Sequence, residues 1–475
     1  MKFFAIPHPT FWLFLFISCP VSSVQSLLAD TGPKNFRLES SRKTDGLWQV
    51  RALLKVKGKL KIKLEDGQHH EPSVQVKSKL AYDEESPVRT DSGETFRILR
   101  HYNLAQAEIA VDRKTTTPVL RPERRTIVHT TAKEPAYFSP QGPLTRDELD
   151  LIDIPGDTLF LEDLLPVGTV EVGQTWPLSA PLLQRWLRLD DVGQAKVNAR
   201  LLSIKAGQAH FEMKGDLTGM ANGVVTNMKL LAKYQFDLGK KHITRLTMDM
   251  QEKRAPGFAE PGFDVLARLH LRVSQAKSGI PSGVAEVAPP EAWETTEQPI
   301  LEFQSQRGDF SMLHDSRWHV ILDNDHTTML RLVHGNKLIA QCNVTRPSTF
   351  PSQKSQTLTD FQNEIRQALG EHFGEFVEAE ESQLESKLNR TRIVVLGTVG
   401  KLPICWTYYQ LSNTQNQGTT LVFTYELGTE EDFAAADETI IQSFTFLTKP
   451  NTDQNLTAIP KIPDTARSED SAKTR

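Results

Sequence analysis

From Arg51 to Leu64 the chain alternates strictly between two kinds of residue. Lys55, Lys57, Lys59, Lys61 and Lys63 hold one parity; Leu54, Val56, Leu60, Ile62 and Leu64 hold the other. A period of two is that of a strand with one face buried and one in water. Val74, Val76, Leu80 and Tyr82 repeat the pattern beyond a turn at Gly67, and Phe96, Ile98, Tyr102, Ile109 and Val111 continue it. Gly58, inside the first strand, is expected to mark a bulge.

A turn-rich stretch from Pro135 to Pro143 precedes a short helix. Thr145 is placed to cap it and Glu148 to reach back, as in a capping box, with Leu149, Leu151 and Ile152 as its apolar side. Phe160, Leu161, Leu164 and Leu165 form a further apolar cluster that Pro166 ends. Alternation resumes from Val167 to Val273, cut by glycine turns, and Trp176 is expected to plug the resulting sheet. Many short strands with glycine turns predict an antiparallel sandwich or an open half-barrel, the half-barrel sharing its strand count with proteins of the LolA kind. In the last third, Leu358, Phe361, Ile365 and Leu369 recur at helical spacing. Ile393–Val399, Ile404–Leu411 and Thr420–Leu427 read as strands. Thr429 is expected to cap a second helix with Glu430, Glu431 and Asp432 in its first turn and Phe433, Ile440, Ile441 and Phe444 on its buried side. Both apolar stripes must cover a sheet, which predicts an α+β layer domain.

The 475 residues suggest two or three domains at roughly 100–200 residues each. The pattern divides them into a signal peptide over 1–29, a β-rich domain over 30–275, a linker over 276–299, an α+β domain over 300–447 and a disordered tail over 448–475. The first segment carries Lys2, the apolar run Phe11–Ile17 and small residues at Ser22, Ser23, Ser26 and Ala29. That is the build of a secretory signal, and the run is shorter than the about 20 residues of a membrane span. An uncleaved anchor is the alternative. Cys19 lacks the surrounding spacing of a lipid-attachment site. The mature chain is therefore expected to be secreted or periplasmic, with no transmembrane segment.

Fifty-nine acidic against 55 basic side chains give a formal charge of −4. This balance argues against a polybasic nucleic-acid coat, and no nucleic-acid partner is expected. Three cysteines exclude a disulfide-built scaffold. Cys342 and Cys405 remain as a disulfide or as two buried thiols.

Gly308-Asp309-Phe310-Ser311-Met312, then Trp318-His319-Val320, and the closing Ala436–Phe446 with its Ser443-Phe444-Thr445-Phe446 end, resemble the PsbP/Mog-like α/β/α sandwich family over residues 300–447. The resemblance implies a binding or assembly role rather than an enzyme, and carries no site residue across. Pro140–Leu151, Leu164-Leu165-Pro166 and Val172–Trp176 resemble secreted bacterial β-rich proteins of unknown function, which implies export alone.

Two candidate sites stand out. The row Lys55, Lys57, Lys59, Lys61 and Lys63 concentrates like charge on one strand face, where lipid headgroups or an acidic polysaccharide would bind. Solvent-facing alternation already explains the row as a solvated outer face or an edge blunted by lysine. His314, His319 and His326, with Asp315 and Asp325, gather metal-ligating types without the spacing of a metal motif. Glu375, Glu378, Glu380 and Glu381 read as a solvated face, and Trp318 and Trp406 as core anchors. No G-x-S-x-G, H-E-x-x-H or phosphate loop occurs, so no catalytic residue and no cofactor is assigned. The expected function is an exported, non-catalytic binding or assembly protein with a protein partner or a hydrophobic ligand. The alternatives are an extracytoplasmic hydrolase built from scattered residues and a lipid or lipoprotein carrier. Mass spectrometry of the exported protein is expected to find a new N-terminus between Ser22 and Asp30; an intact Met1 would refute the signal.

Overall fold

The computed structural model describes residues 35–42, 46–63, 69–85, 88–89, 96–130, 136–276, 299–307, 309–335, 337–346, 348–349, 357–415 and 417–447. The signal segment, the linker apart from its two ends, the tail, Leu64 and Gly67 lie outside them.

In the first unit the alternating stretches are long strands: β1 (Leu47–Lys63), β2 (Ser73–Glu85), β3 (Phe96–Val111), β4 (Thr126–Thr130) and β5 (Ala136–Phe138). Helix α1 (Arg146–Ile152), a 3-10 helix (Thr158–Leu164), β6 (Thr175–Pro177) and α2 (Ala180–Leu187) follow. Then come β7 (Asp191–Lys205), β8 (Gln208–Ala221), β9 (Val224–Asp237), β10 (His242–Arg254) and β11 (Gly262–Gln275). All join one antiparallel sheet of fourteen strands whose main path is β6-β7-β8-β9-β10-β11-β1-β2-β3-β4-β5. The path has two ends and does not close. Of the two architectures expected, the open half-barrel is the one observed, since one sheet rather than two supplies the core.

Its inner face is apolar along every long strand: Val50 and Ala52 on β1, Leu80 and Tyr82 on β2, Tyr234 and Phe236 on β9, Met248 and Met250 on β10, Leu269 and Leu271 on β11. One cluster gathers these side chains with Leu149, Leu161, Leu164, Leu183 and Trp186 from the helical segment. The sheet therefore wraps that segment. Trp186 is fully buried at the centre, whereas Trp176 is half-buried against Phe211 and donates its indole N–H to the Leu164 carbonyl at 3.3 Å. The expected plug residue is thus displaced to α2. Thr145 and Glu148 form the expected capping box, at 3.2 and 2.9 Å.

Gly58 corrects another expectation. The register of β1 against β2 and β11 runs through it without a shift, so there is no bulge. A Cβ there would lie 2.2 Å from the Asp264 carbonyl oxygen. Glycine is required because the neighbouring backbone comes that close.

The second unit comprises β12 (Ile300–Gln304), β13 (Phe310–Asp315), β14 (Trp318–Asp323), β15 (Thr327–His334) and β16 (Lys337–Thr345), then α3 (Leu358–Leu369). Strands β17 (Phe373–Gln383), β18 (Asn389–Val399), β19 (Leu402–Ser412) and β20 (Gln417–Glu426) follow, with α4 (Glu430–Phe433), α5 (Ala436–Ser443) and β21 (Thr445–Phe446) closing it. An eight-stranded antiparallel sheet runs β14-β15-β16-β20-β19-β18-β17, and β12-β13-β21 form a smaller one. Side chains of α3 cover one face of the large sheet, Phe361 and Ile365 packing with Ile393, Val395 and Trp406. The other face packs Tyr409, Leu411 and Phe423 against Phe433, Ile440, Ile441 and Phe444. The helix expected from Thr429 onward is two helices. Ala434 and Ala435 both take positive φ, 43° and 54°, which breaks it, and Thr429 donates its hydroxyl to the Glu426 carbonyl instead of capping.

Cys342 on β16 faces Phe423 on β20, and Cys405 on β19 faces Tyr425 on the same strand. Two strand spacings, about 10 Å, separate the thiols, beyond disulfide reach. Both are buried and free.

The two units touch. Leu301 of β12 packs in the first core and bridges Leu144, whose carbonyl accepts the Glu302 N–H at 2.8 Å. Arg121 makes a two-pronged bond to Glu148 and reaches Glu302 at 2.9 Å.

Phe444 is fully buried and stacks on Phe310 with centroids 5.2 Å apart. Phe444→Ala is expected to cost about 3–5 kcal/mol in chemical denaturation of the full chain. Lys61→Ala on the sheet exterior is expected to cost well under about 1 kcal/mol. A near-zero effect at Phe444 would make its helix peripheral.

Candidate functional site

The lysine row lies on the outer face of the long sheet, opposite the apolar core. Lys55, Lys57 and Lys59 are exposed and Lys61 half-buried; the Lys63 side chain lies outside the described residues. Row and face follow from one cause: with Val50, Ala52 and Leu54 buried, every odd position of β1 must point outward.

The sequence does not show what the neighbouring strands add. Lys55 stands opposite Lys77 on β2 and Arg268 on β11, three cations abreast. Arg51 stands opposite Arg272. Lys79 flanks Leu53. Further out, Arg245, Lys253, Lys229 and Lys233 share the face on β10 and β9, because each pairs in register with the outward residues of the next strand. Some cations are balanced: Arg268 bonds Asp249 at 2.5 and 2.9 Å, Lys253 pairs with Asp264 at 3.0 Å, and Lys59 with Glu71 at 3.4 Å. Among the described residues Lys55, Lys57, Lys77 and Lys79 have no carboxylate within ion-pair distance. β1 is interior to the sheet, so edge protection does not account for the row.

A second constellation lies on the inner face and was not legible beforehand. The Glu84 carboxylate accepts bonds from Arg100 Nε at 2.7 Å and the Thr158 hydroxyl at 2.7 Å, and pairs with Arg42. Arg100 also bonds Asp157 at 2.6 Å, and Arg42 reaches the Thr158 carbonyl at 2.7 Å. Tyr82 bonds the Thr158 hydroxyl at 3.0 Å. His129 stacks on Tyr137 at 4.3 Å, with Nδ1 3.5 Å from Asp157. Burial alone would raise the Asp157 carboxyl; Arg100, then His129 and Arg188, hold it well below the usual carboxylate range. Burial drives His129 down to about 3. The cluster combines a histidine, a carboxylate and a tyrosine, the parts of acid–base chemistry, yet His129 and Asp157 are enclosed. Its visible action is mechanical: Asp157 and Thr158 begin the 3-10 helix, and charge from β2 and β3 fastens that start to the sheet. Removing one partner of such a pair typically costs about 3–5 kcal/mol.

The histidines proposed for metal do not converge. His314 is buried with Nδ1 bonded to the Asp315 carbonyl at 2.7 Å, while His326 sits in a polar turn where the Asn324 side-chain oxygen accepts its backbone N–H at 2.8 Å. Burial lowers His314 to about 4 and His319 to about 3. Among the described residues no cluster of three or more potential ligands is present. Of the acids, Glu378 pairs with Arg392 and Glu380 with Arg390 at 2.8 Å, on the outermost strand β17. Trp318 and Trp406 are buried core residues. Among the described residues no helix is long and apolar enough to cross a membrane.

No family model and no curated protein matches the chain. Among solved structures, the Ran-binding protein Mog1p of Saccharomyces cerevisiae is similar at 10% identity and a TM-score of 0.25, over 31% of this chain and 96% of its own. The cyanobacterial PsbP of Synechocystis is similar at 15% identity and a TM-score of 0.25, over 36% of this chain and 99% of its own. The outer membrane protein OprD of Pseudomonas aeruginosa is similar at 8% identity and a TM-score of 0.12, over 82% of this chain and 97% of its own. These are weak likenesses of fold, and the first two concern only part of the chain.

His129 gives the inner cluster a measurable signature. Its folded pKa, about 3, is depressed below the ordinary value near about 6.5, so between about pH 6.5 and about pH 3 the unfolded chain binds a proton that the folded chain does not. Stability therefore falls as pH falls through that window. In His129→Phe, the slope of unfolding free energy against pH near about pH 5 is expected to be shallower by ~1.4 kcal/mol per pH unit. An unchanged slope in denaturation series would show that His129 is protonated when folded.

Proposed function

We propose that the chain is an exported, non-catalytic binding protein that engages an anionic partner through the outer face of its long sheet. The observation that carries this reading is the group Lys55 and Lys57 on β1 with Lys77 and Lys79 on β2, Lys55 directly opposite Lys77, none of them with a carboxylate at ion-pair distance among the described residues. Like charges this close repel one another, and a bound polyanion relieves that repulsion while releasing counterions. In the same reading the C-terminal unit contacts a protein partner, the role its sequence resemblance implies.

Two observations weigh against the alternatives. A hydrolase needs its base in reach of substrate, whereas the His129–Asp157–Tyr137 group is sealed under the sheet. A lipid carrier needs a dry cavity in the half-barrel, whereas Leu161, Leu164, Leu183 and Trp186 occupy that space and are buried.

The test is binding of the full chain to a panel of anionic probes: poly-L-glutamate, polyphosphate and anionic lipid vesicles. Wild-type protein is expected to bind at least one class at low salt and to release it as salt rises. The triple change Lys55→Glu, Lys57→Glu and Lys77→Glu is expected to weaken that binding at least about tenfold. Equal binding by the triple variant, or no binding of any probe, would overturn the proposal.

A further inference from the structure

Resting on the outer face as the binding surface, we infer that its partner is an anionic phospholipid bilayer, with leucines of the same face entering the headgroup region. The face combines two chemistries. Strand spacing places the cations about 4.8 Å apart across the sheet and about 6.8 Å apart along β1, a two-dimensional array rather than a groove. A single flexible polyanion is gripped best by a channel that follows it. An array meets a surface that is itself charged in two dimensions.

The second chemistry decides between the two. Leu266 stands opposite Lys57 and is 51% exposed. Leu53 stands opposite Lys79 and is half-buried. Leu231, 43% exposed, lies on the same face two strands beyond β11. Apolar side chains set among lysines have nothing to gain from a soluble polyanion. At a bilayer they enter the acyl boundary while the ammonium groups meet lipid phosphates, and flexible lysine stems allow both at once. Each lysine near an anionic leaflet adds to the attraction, which fades within a Debye length.

The experiment compares full-length protein on phosphatidylcholine vesicles with and without phosphatidylglycerol, by co-sedimentation, alongside poly-L-glutamate in solution. Binding is expected to the phosphatidylglycerol vesicles and not to phosphatidylcholine alone, and to disappear at high salt. Lys55→Glu with Lys57→Glu is expected to weaken vesicle binding at least about tenfold. Leu266→Asp is expected to weaken vesicle binding about tenfold while reducing poly-L-glutamate binding by no more than the added charge of a Lys61→Gln control. Both sites are on the outer face, and circular dichroism of each variant checks its fold. Binding to poly-L-glutamate without binding to vesicles, or a Leu266→Asp variant that binds vesicles as wild type does, overturns the bilayer and leaves the anionic partner standing. Absence of binding to both probes overturns the two readings together.

Discussion

The first unit is governed by the need to cover one face of a very long sheet. Strands of 13 to 17 residues alternate faithfully enough that their inner faces are apolar from end to end. An open sheet of this kind cannot bury such a face against itself. The chain supplies the missing layer from its own middle: α1, the 3-10 helix and α2 lie between β5 and β7 in sequence and inside the wrapped sheet in space. Ser179 caps α2 by accepting the Leu182 N–H, and Leu182, Leu183, Trp186 and Leu187 face inward. Apolar contact alone would let a short helical segment slide. The Glu84–Arg100–Asp157 ion pairs, reinforced by Thr158 and Arg42, set its register, because directional bonds in a low-dielectric interior tolerate little displacement.

The second unit solves the same problem differently. Its large sheet is apolar on both faces, and each face has a cover: α3 on one, α4, α5 and the small sheet on the other. Trp318 ties the two layers by donating its indole N–H to the Ala436 carbonyl at 3.3 Å. On the edge strand β17 of the large sheet Glu378 and Glu380 are met by Arg392 and Arg390 of β18. The contrast explains where a binding surface is to be sought. In the second unit both broad faces are spent on its own core. In the first, Lys55, Lys57 and Lys59 of the outer face are exposed among the described residues, and the charges of that face are only partly paired.

What the sequence revealed and what it hid follow from the range of the forces involved. Period-two alternation is local, so β1, β2, β3 and the outward lysines were readable directly, as were the Thr145 capping box and the α3 stripe. The half-barrel was one of two readings because alternation does not say whether one sheet or two supply the core. Trp176 reads as the plug because a glycine turn precedes it. Trp186 follows a Ser-Ala-Pro start with Leu182 and Leu183, a helix signal that short strand-like neighbours obscure. Ala434 and Ala435 read as helix formers, and nothing in their local sequence signals the positive φ they adopt. Glu84, Arg100 and Asp157 are separated by 16 and 57 positions; nothing local distinguishes an acid that will be buried beside an arginine from one left in water. Gly58 looked like a bulge because the cause of the glycine, the Asp264 carbonyl, is more than two hundred residues away.

The fold gives the basic face a weight that its sequence alone does not. A row of lysines on one isolated strand is adequately explained by solvation. Antiparallel pairing changes the question, because register and not sequence proximity decides which charges become neighbours. Had β2 and β11 placed acids beside Lys55, the row would have been a set of cross-strand ion pairs of small energetic consequence. They place Lys77 and Arg268 there instead; Asp249 answers Arg268, so the uncompensated like charges directly opposite one another are Lys55 and Lys77, a destabilising pair. The −4 charge of the whole chain makes this more telling, since acids were in ample supply for that position. A fold that keeps Lys55 opposite Lys77 on interior strands, where edge protection is not required, accepts a small loss of stability at that pairing. An anionic surface brought against that face converts the same repulsion into binding free energy.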